Sequence, residues 1–138
     1  MLYVNGSDIA RLTIGSIAGD RGSFAIAPKT HTVRPEEFLL TIDGWLREQQ
    51  IDLKSISALG MVIGPGSATA LRTSLAWANT FAFVRSIPMF GIELPAGSDD
   101  RAALIDLGSM QSVPMLRPVY ANAPTITATK KDALRRSL

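Results

Sequence analysis

Met61-Val62-Ile63-Gly64-Pro65-Gly66-Ser67-Ala68-Thr69-Ala70-Leu71-Arg72 decides how this chain folds. The apolar run that opens it has the composition of a buried strand. Gly64, Pro65 and Gly66 break the run in a tight turn, and Ser67 can cap a new helix by accepting a backbone N–H bond. The nearly uncharged stretch beyond predicts a long helix from about Ala68 to Arg85.

Reading outward gives the rest of the order. Ile56 to Ile63 is apolar on both alternations, as a strand buried on both faces is, which favours a central parallel strand. Pro88-Met89-Phe90-Gly91-Ile92-Glu93-Leu94 predicts the next parallel strand. Toward the start, Leu2 to Asn5, Ile9 to Ile17 and Phe24 to Ala27 predict an antiparallel meander with a turn at Asp20-Arg21-Gly22-Ser23. Pro35-Glu36-Glu37 opens a first helix, with Pro and two acids near the positive end of its dipole. Phe38, Ile42, Trp45 and Leu46 give that helix one apolar face. Gly44 weakens it and permits close approach of a neighbour. The order βββαβαβ is that of an α/β fold: a mixed sheet with helices packed on it. Beyond Leu94, Gly97-Ser98-Asp99-Asp100 caps a short helix through Leu104, or Ala102 to Leu107 forms a strand. Residues 1–112 are read as one lobe and 113–138 as an extended, flexible basic tail containing three prolines.

Bulk properties narrow the function. A chain of 138 residues that is 46% hydrophobic suits one domain with one substantial core. There is no Cys, so no disulfide or thiolate chemistry is available, which suits the cytoplasm. Met1 to Asn5 lacks a basic region and a long apolar core, so no signal peptide is expected. Thr73 to Val84 is too short to span a bilayer and contains Asn79 and Thr80. The formal charge is only +2, with the basic excess in Lys130, Lys131, Arg135 and Arg136. These residues can contact RNA phosphates; a solvated terminus is the plainer account.

Sites for chemistry are sparse. His31 is the only His, which removes the usual metal clusters. Asp99 and Asp100 read as an ordinary cap or a solvated pair. Ser67 sits at a sharp strand-to-helix turn, but G-x-S-x-G is absent and its base would have to be His31. The first N–H groups of the second helix form an anion site in principle, with Arg72 one turn in. No Lys follows, so this is not a P-loop, and a structural turn is the plainer account. The second helix carries two apolar stripes: Leu71, Leu75, Ala78 and Ala82, and about 120° away Ala70, Trp77, Phe81 and Val84. Either the helix is buried between the sheet and the first helix, or one stripe meets another protein.

Gly64-Pro65-Gly66-Ser67, followed at a distance by Leu71-Arg72, resembles the signature turn of the TsaB family, with Ala68 in place of that family's Phe and Ala70 in place of its second Gly. Lys29-Thr30-His31-Thr32, Ser55-Ile56-Ser57-Ala58-Leu59, Ile87-Pro88-Met89-Phe90-Gly91-Ile92 and, more loosely, residues 118–127 are similar to further TsaB segments. Asn5-Gly6-Ser7-Asp8 stands where actin-like ATPases carry an acidic phosphate loop, and Asn5 departs from the family's Asp-Thr-Ser there.

The resemblance implies a ribonuclease-H-like, actin-like (ASKHA) single lobe without the family's second lobe. It implies a non-catalytic scaffold for a TsaD-type enzyme in threonylcarbamoyladenosine modification of tRNA, with TsaE as a further partner and tRNA met only indirectly. No catalytic residue, cofactor or metal of its own is expected, and alone the chain is expected to homodimerise. Phe38, Ile42, Trp45, Ala70, Trp77, Phe81 and Val84 form the expected partner surface. Gly64, Pro65, Gly66, Ser67 and Arg72 form the expected structural turn or anion loop. Two other readings stay open: a small nucleotide-binding or hydrolytic enzyme using Ser67, Arg72 and Asp8, and a self-associating structural module.

Overall fold

The computed structural model describes residues 1–18, 23–95, 97–104 and 111–120. Five strands form one sheet in the order β3-β2-β1-β4-β5. They are β1 (Leu2–Asp8), β2 (Arg11–Ile17), β3 (Phe24–Thr32), β4 (Leu59–Gly64) and β5 (Met89–Glu93). β1 pairs antiparallel with β2 and parallel with β4, and β4 pairs parallel with β5. The helices are α1 (Phe38–Glu48), entered through a 3₁₀ turn at Pro35–Glu37, and α2 (Ala68–Arg85). The sheet is therefore mixed and its order is βββαβαβ, an actin-like single lobe.

Local chemistry explains the boundaries. The Asp8 carboxylate accepts the Ala10 N–H at 2.8 Å and closes the β1–β2 hairpin. β1 continues through Asn5-Gly6-Ser7 to Asp8, so these residues are strand and not loop. β3 runs five residues beyond the predicted Ala27, to Thr32. It contains Pro28, which an outer strand tolerates because one side has no ladder to complete. Residues 56–58 lie outside β4, whose first paired residue is Leu59. Asp100–Leu104 is a short 3₁₀ helix. Of the predicted turn at Asp20-Arg21-Gly22-Ser23, only Ser23 falls within the described residues; residues 105–107 of the alternative strand also lie outside them.

The two faces of the sheet bury different sets. Val4, Leu12, Ile14 and Met61 meet Ile42, Trp45 and Leu46 of α1 and Leu75, Ala78 and Ala82 of α2. On the other face Tyr3, Ile17, Val62, Phe90, Ile92 and Leu94 cluster together. Residues 113–120 are not a loose tail. Leu116 is buried in the first core, and its backbone forms two hydrogen bonds with the Asn79 side chain, at 2.8 and 3.1 Å. Val113 N–H donates to the Met89 carbonyl and Val119 N–H to that of Ile63. The lobe thus extends to Tyr120, and the tail boundary at 113 is displaced; residues 121–138 lie outside the described part.

Asp100 is more than a cap or a solvated acid. One of its oxygens accepts the Tyr3 hydroxyl at 2.7 Å and the Asn5 amide at 2.8 Å, tying the 3₁₀ helix to β1. Burial, then the Asp100 bond and the nearby charges of Asp100 and Asp99, hold the Tyr3 phenol far above the usual tyrosine range. The unfolded phenol ionises near pH 10 and the folded one stays protonated. This contribution to stability is complete below about pH 10 and falls as pH rises, by roughly 1.4 kcal/mol per pH unit. Urea unfolding at pH 9 and pH 11 should show the fall, and Tyr3→Phe should remove it. An equal fall in Tyr3→Phe would place its origin elsewhere.

Candidate partner face and the Gly64-Ser67 turn

The turn after β4 is a packed junction. Ser67 adopts an extended conformation, and its hydroxyl accepts the Ala70 N–H at 3.4 Å, the helix cap expected of it. The Ser67 N–H itself donates to the Ser7 carbonyl at 2.9 Å. Gly64 has φ +129°, a backbone that side-chain-bearing residues rarely adopt, and a Cβ there would strike the Val119 carbonyl oxygen. Gly66 pairs with Tyr120 in an isolated parallel bridge and lies against Ser7. Backbone from three parts of the chain therefore meets at Gly64-Pro65-Gly66-Ser67. The turn is filled by the chain's own atoms and is not an open anion cradle.

The enzyme residues are not brought together. His31 lies on β3, where its Nδ1 is 3.4 Å from the Leu12 carbonyl. Two strand spacings, roughly 10 Å, separate β3 from β1, whose Ser7 supports Ser67. Arg72 is exposed, and Asp8 is occupied in its hairpin turn. Asn5, which stands where an acidic phosphate loop would begin, has its side chain spent on Asp100 and Ser7. Among the described residues no group of three or more His, Cys, Asp or Glu is arranged to hold a metal.

Cap removal gives a measurable prediction. Ser67→Ala should cost about 0.5–1 kcal/mol, the low end for a cap because the 3.4 Å bond is long. Urea denaturation reads this directly. A loss above about 2 kcal/mol would mean that the hydroxyl does more than cap.

The second stripe of α2 is the exposed feature. Leu71, Ser74, Leu75, Ala78 and Ala82 turn to the sheet and are buried. Ala70, Trp77 and Phe81 are half-buried, and Val84 is 73% exposed. Trp77 stacks on Phe81 with centroids 5.4 Å apart, and Phe38 meets Trp77 edge-on at 5.9 Å. Pro35, Leu39, Thr73, Thr80 and Val84 complete an open groove over this aromatic row, with a volume of about 610 Å³. Leu39 and Leu40 add exposed apolar surface from α1. Sequence reading missed both, because its α1 periodicity selected the face that turns inward.

Three expected interface residues are corrected. Ile42 and Trp45 are 3% and 2% exposed, and Phe38 is 7% exposed. They carry the apolar face of α1, and that face is used up against the sheet and α2. Only the ring edge of Phe38 borders the groove. Gly44 has no atom of its own chain within 4 Å of a Cβ built on it, so no neighbour within the chain uses the close approach it permits.

Comparison with known proteins places this geometry. No curated protein sequence matches the chain. Two solved structures share its fold: YeaZ from Pseudomonas aeruginosa, and a protein described as uncharacterized with similarity to peptidase YEAZ from Pseudomonas aeruginosa. Each aligns with a TM-score of 0.56 at 17% identity over 67% of this chain. The chain spans 42% of the length of those structures. Among the described residues no helix is long and apolar enough to cross a membrane. Residues 25–96, from β3 through α1, the Gly64-Ser67 turn and α2 to just beyond β5, match the model of one protein family. Because that match covers more than half of the chain, the chain belongs to the TsaD family, tRNA N6-adenosine threonylcarbamoyltransferase.

Proposed function

We propose that this chain is a non-catalytic partner that binds a TsaD-type enzyme in threonylcarbamoyladenosine modification of tRNA. One observation carries the reading: the apolar groove between α1 and α2, floored by the stacked Trp77 and Phe81 and rimmed by the exposed Leu39 and Val84. Stacked aromatics beside exposed aliphatics are the kind of anchors that dominate interface energy. Family membership and the YeaZ-like fold supply the class of partner. The packed state of the Gly64-Ser67 turn and the separation of His31 from Ser67 weigh against the hydrolase alternative. In this reading the chain works in the cytoplasm, TsaE joins the assembly, and the groove pairs two copies when the enzyme is absent.

Co-purification with the TsaD-type enzyme of the same organism tests it. Val84→Glu and Leu39→Glu place charges on exposed positions and should leave the melting temperature unchanged. Each should weaken the complex by about 2 kcal/mol, roughly 30-fold. Sedimentation of the chain alone should show the same variants shifting dimer toward monomer. Full-strength binding by both variants would remove this face from the interface.

A further inference from the structure

We infer that the chain itself offers a phosphodiester-binding track for RNA along the flank of α2 that faces away from the groove, continued by the basic residues after Tyr120. This goes beyond the proposed partner role, and borrows from it only the choice of RNA as the anionic partner.

The track is built on the anchored segment 113–120. Asn79 holds Leu116 by two hydrogen bonds, and Tyr120 bridges to Gly66 at the start of α2. Residues 117–120 therefore pass back beside α2, from Asn79 toward its first turn. Arg72 and Asn79 are seven residues apart, so they lie within about 20° on the helix surface. Arg72 thus sits on the flank along which this segment runs, and it is exposed. Arg117 is exposed on the segment itself. Neither α2 nor residues 111–120 contains a single Asp or Glu, so no carboxylate of these elements neutralises the two arginines.

Charge continues in the same direction. Residues 121–138 carry Lys130, Lys131, Arg135 and Arg136 against one carboxylate, Asp132. The whole chain is only +2, so residues 1–120 are net acidic and the positive charge is concentrated after Tyr120. The Tyr120–Gly66 bridge fixes where those cations leave the lobe: beside the first turn of α2, next to Arg72. An anchored pair of arginines followed by four cations suits a phosphate backbone, where affinity comes from several point charges spaced along one strand.

The full-length chain should be titrated against a fluorescently labelled tRNA transcript at several salt concentrations. The wild type should bind with log affinity falling linearly with log salt. Lys130→Ala, Lys131→Ala, Arg135→Ala and Arg136→Ala together should lower affinity at least tenfold and flatten the slope by roughly three. Arg72→Ala with Arg117→Ala should lower affinity several-fold and flatten the slope by about 1.5. The two arginines are exposed, and circular dichroism should show both variants folded.

Binding that is absent or insensitive to salt overturns the proposal. So does an unchanged affinity in the Arg72/Arg117 variant, since a charged tail without an anchored track would then suffice. Tighter binding to phosphatidylserine vesicles than to the transcript would make a membrane surface the partner, and also overturns it. Capture of the TsaD-type enzyme by the same variants should remain at wild-type strength. Loss of RNA binding alone fails this inference, and loss of enzyme capture by the wild type alone fails the function proposed above.

Discussion

Trp45→Ala should unfold most of the protein at 37 °C, while Val84→Glu should leave it folded. Trp45 is 2% exposed and fills the space between α1 and the sheet, beside Ile42 and Leu46. Truncating a buried Trp to Ala removes its transfer free energy and leaves a cavity, at a cost of about 3–5 kcal/mol. Domains of this size have about 5–15 kcal/mol to lose, so the variant sits at or near its threshold. Any loss of partner binding should then follow the loss of folded protein. Binding measured under conditions where the variant still folds, such as low temperature with a stabilising osmolyte, should recover. A variant of wild-type stability that has lost its partner would return Trp45 to the interface.

The Trp45 and Val84 contrast shows how far sequence reading carries. The turn at Gly64-Ser67, the bounds of α2 and the strand order follow from local chemistry: glycine and proline punctuation, a capping serine, and β4 apolar on both alternations. The inward stripe of α2 was equally legible, because Leu71, Leu75, Ala78 and Ala82 recur at helical spacing and all are buried. What periodicity does not tell is which of several apolar faces is left over. α1 has one apolar face, and in the fold that face is consumed by the chain's own core. The exposed Leu39 and Leu40 of α1 break the pattern and so escape notice. Long-range pairings were also illegible. Nothing in Asp100 as a residue announces a bond to Tyr3 and Asn5 almost a hundred positions earlier, and nothing in the proline-containing stretch after Gln111 announces the clip between Asn79 and Leu116. Such contacts depend on how the chain returns to its sheet, which composition does not encode.

Gly66→Ala should cost far more than Ser67→Ala, although the two positions are adjacent and both changes are small. A Cβ on Gly66 would collide with the Ser7 carbonyl oxygen and lie 2.7 Å from the Ser7 Cβ. That carbonyl accepts the Ser67 N–H at 2.9 Å, so it cannot move aside without losing the bond that docks α2 on β1. The neighbours are backbone and a Cβ, not the far end of a flexible side chain, so relief must come from shifting β1 or the helix start. Overpacking of this kind costs about 1–3 kcal/mol, and the lost hydrogen bond adds about 1. The expected total is about 2–4 kcal/mol, against about 0.5–1 for the cap at Ser67. Urea unfolding of the two variants side by side checks the order. Ser7→Gly should partly rescue Gly66→Ala by removing the Ser7 Cβ, while adding its own strand penalty in the wild-type background. Equal, small losses for both single variants would mean that the Gly64-Ser67 turn is looser than this packing requires, and the case against an open anion loop there would fall with it.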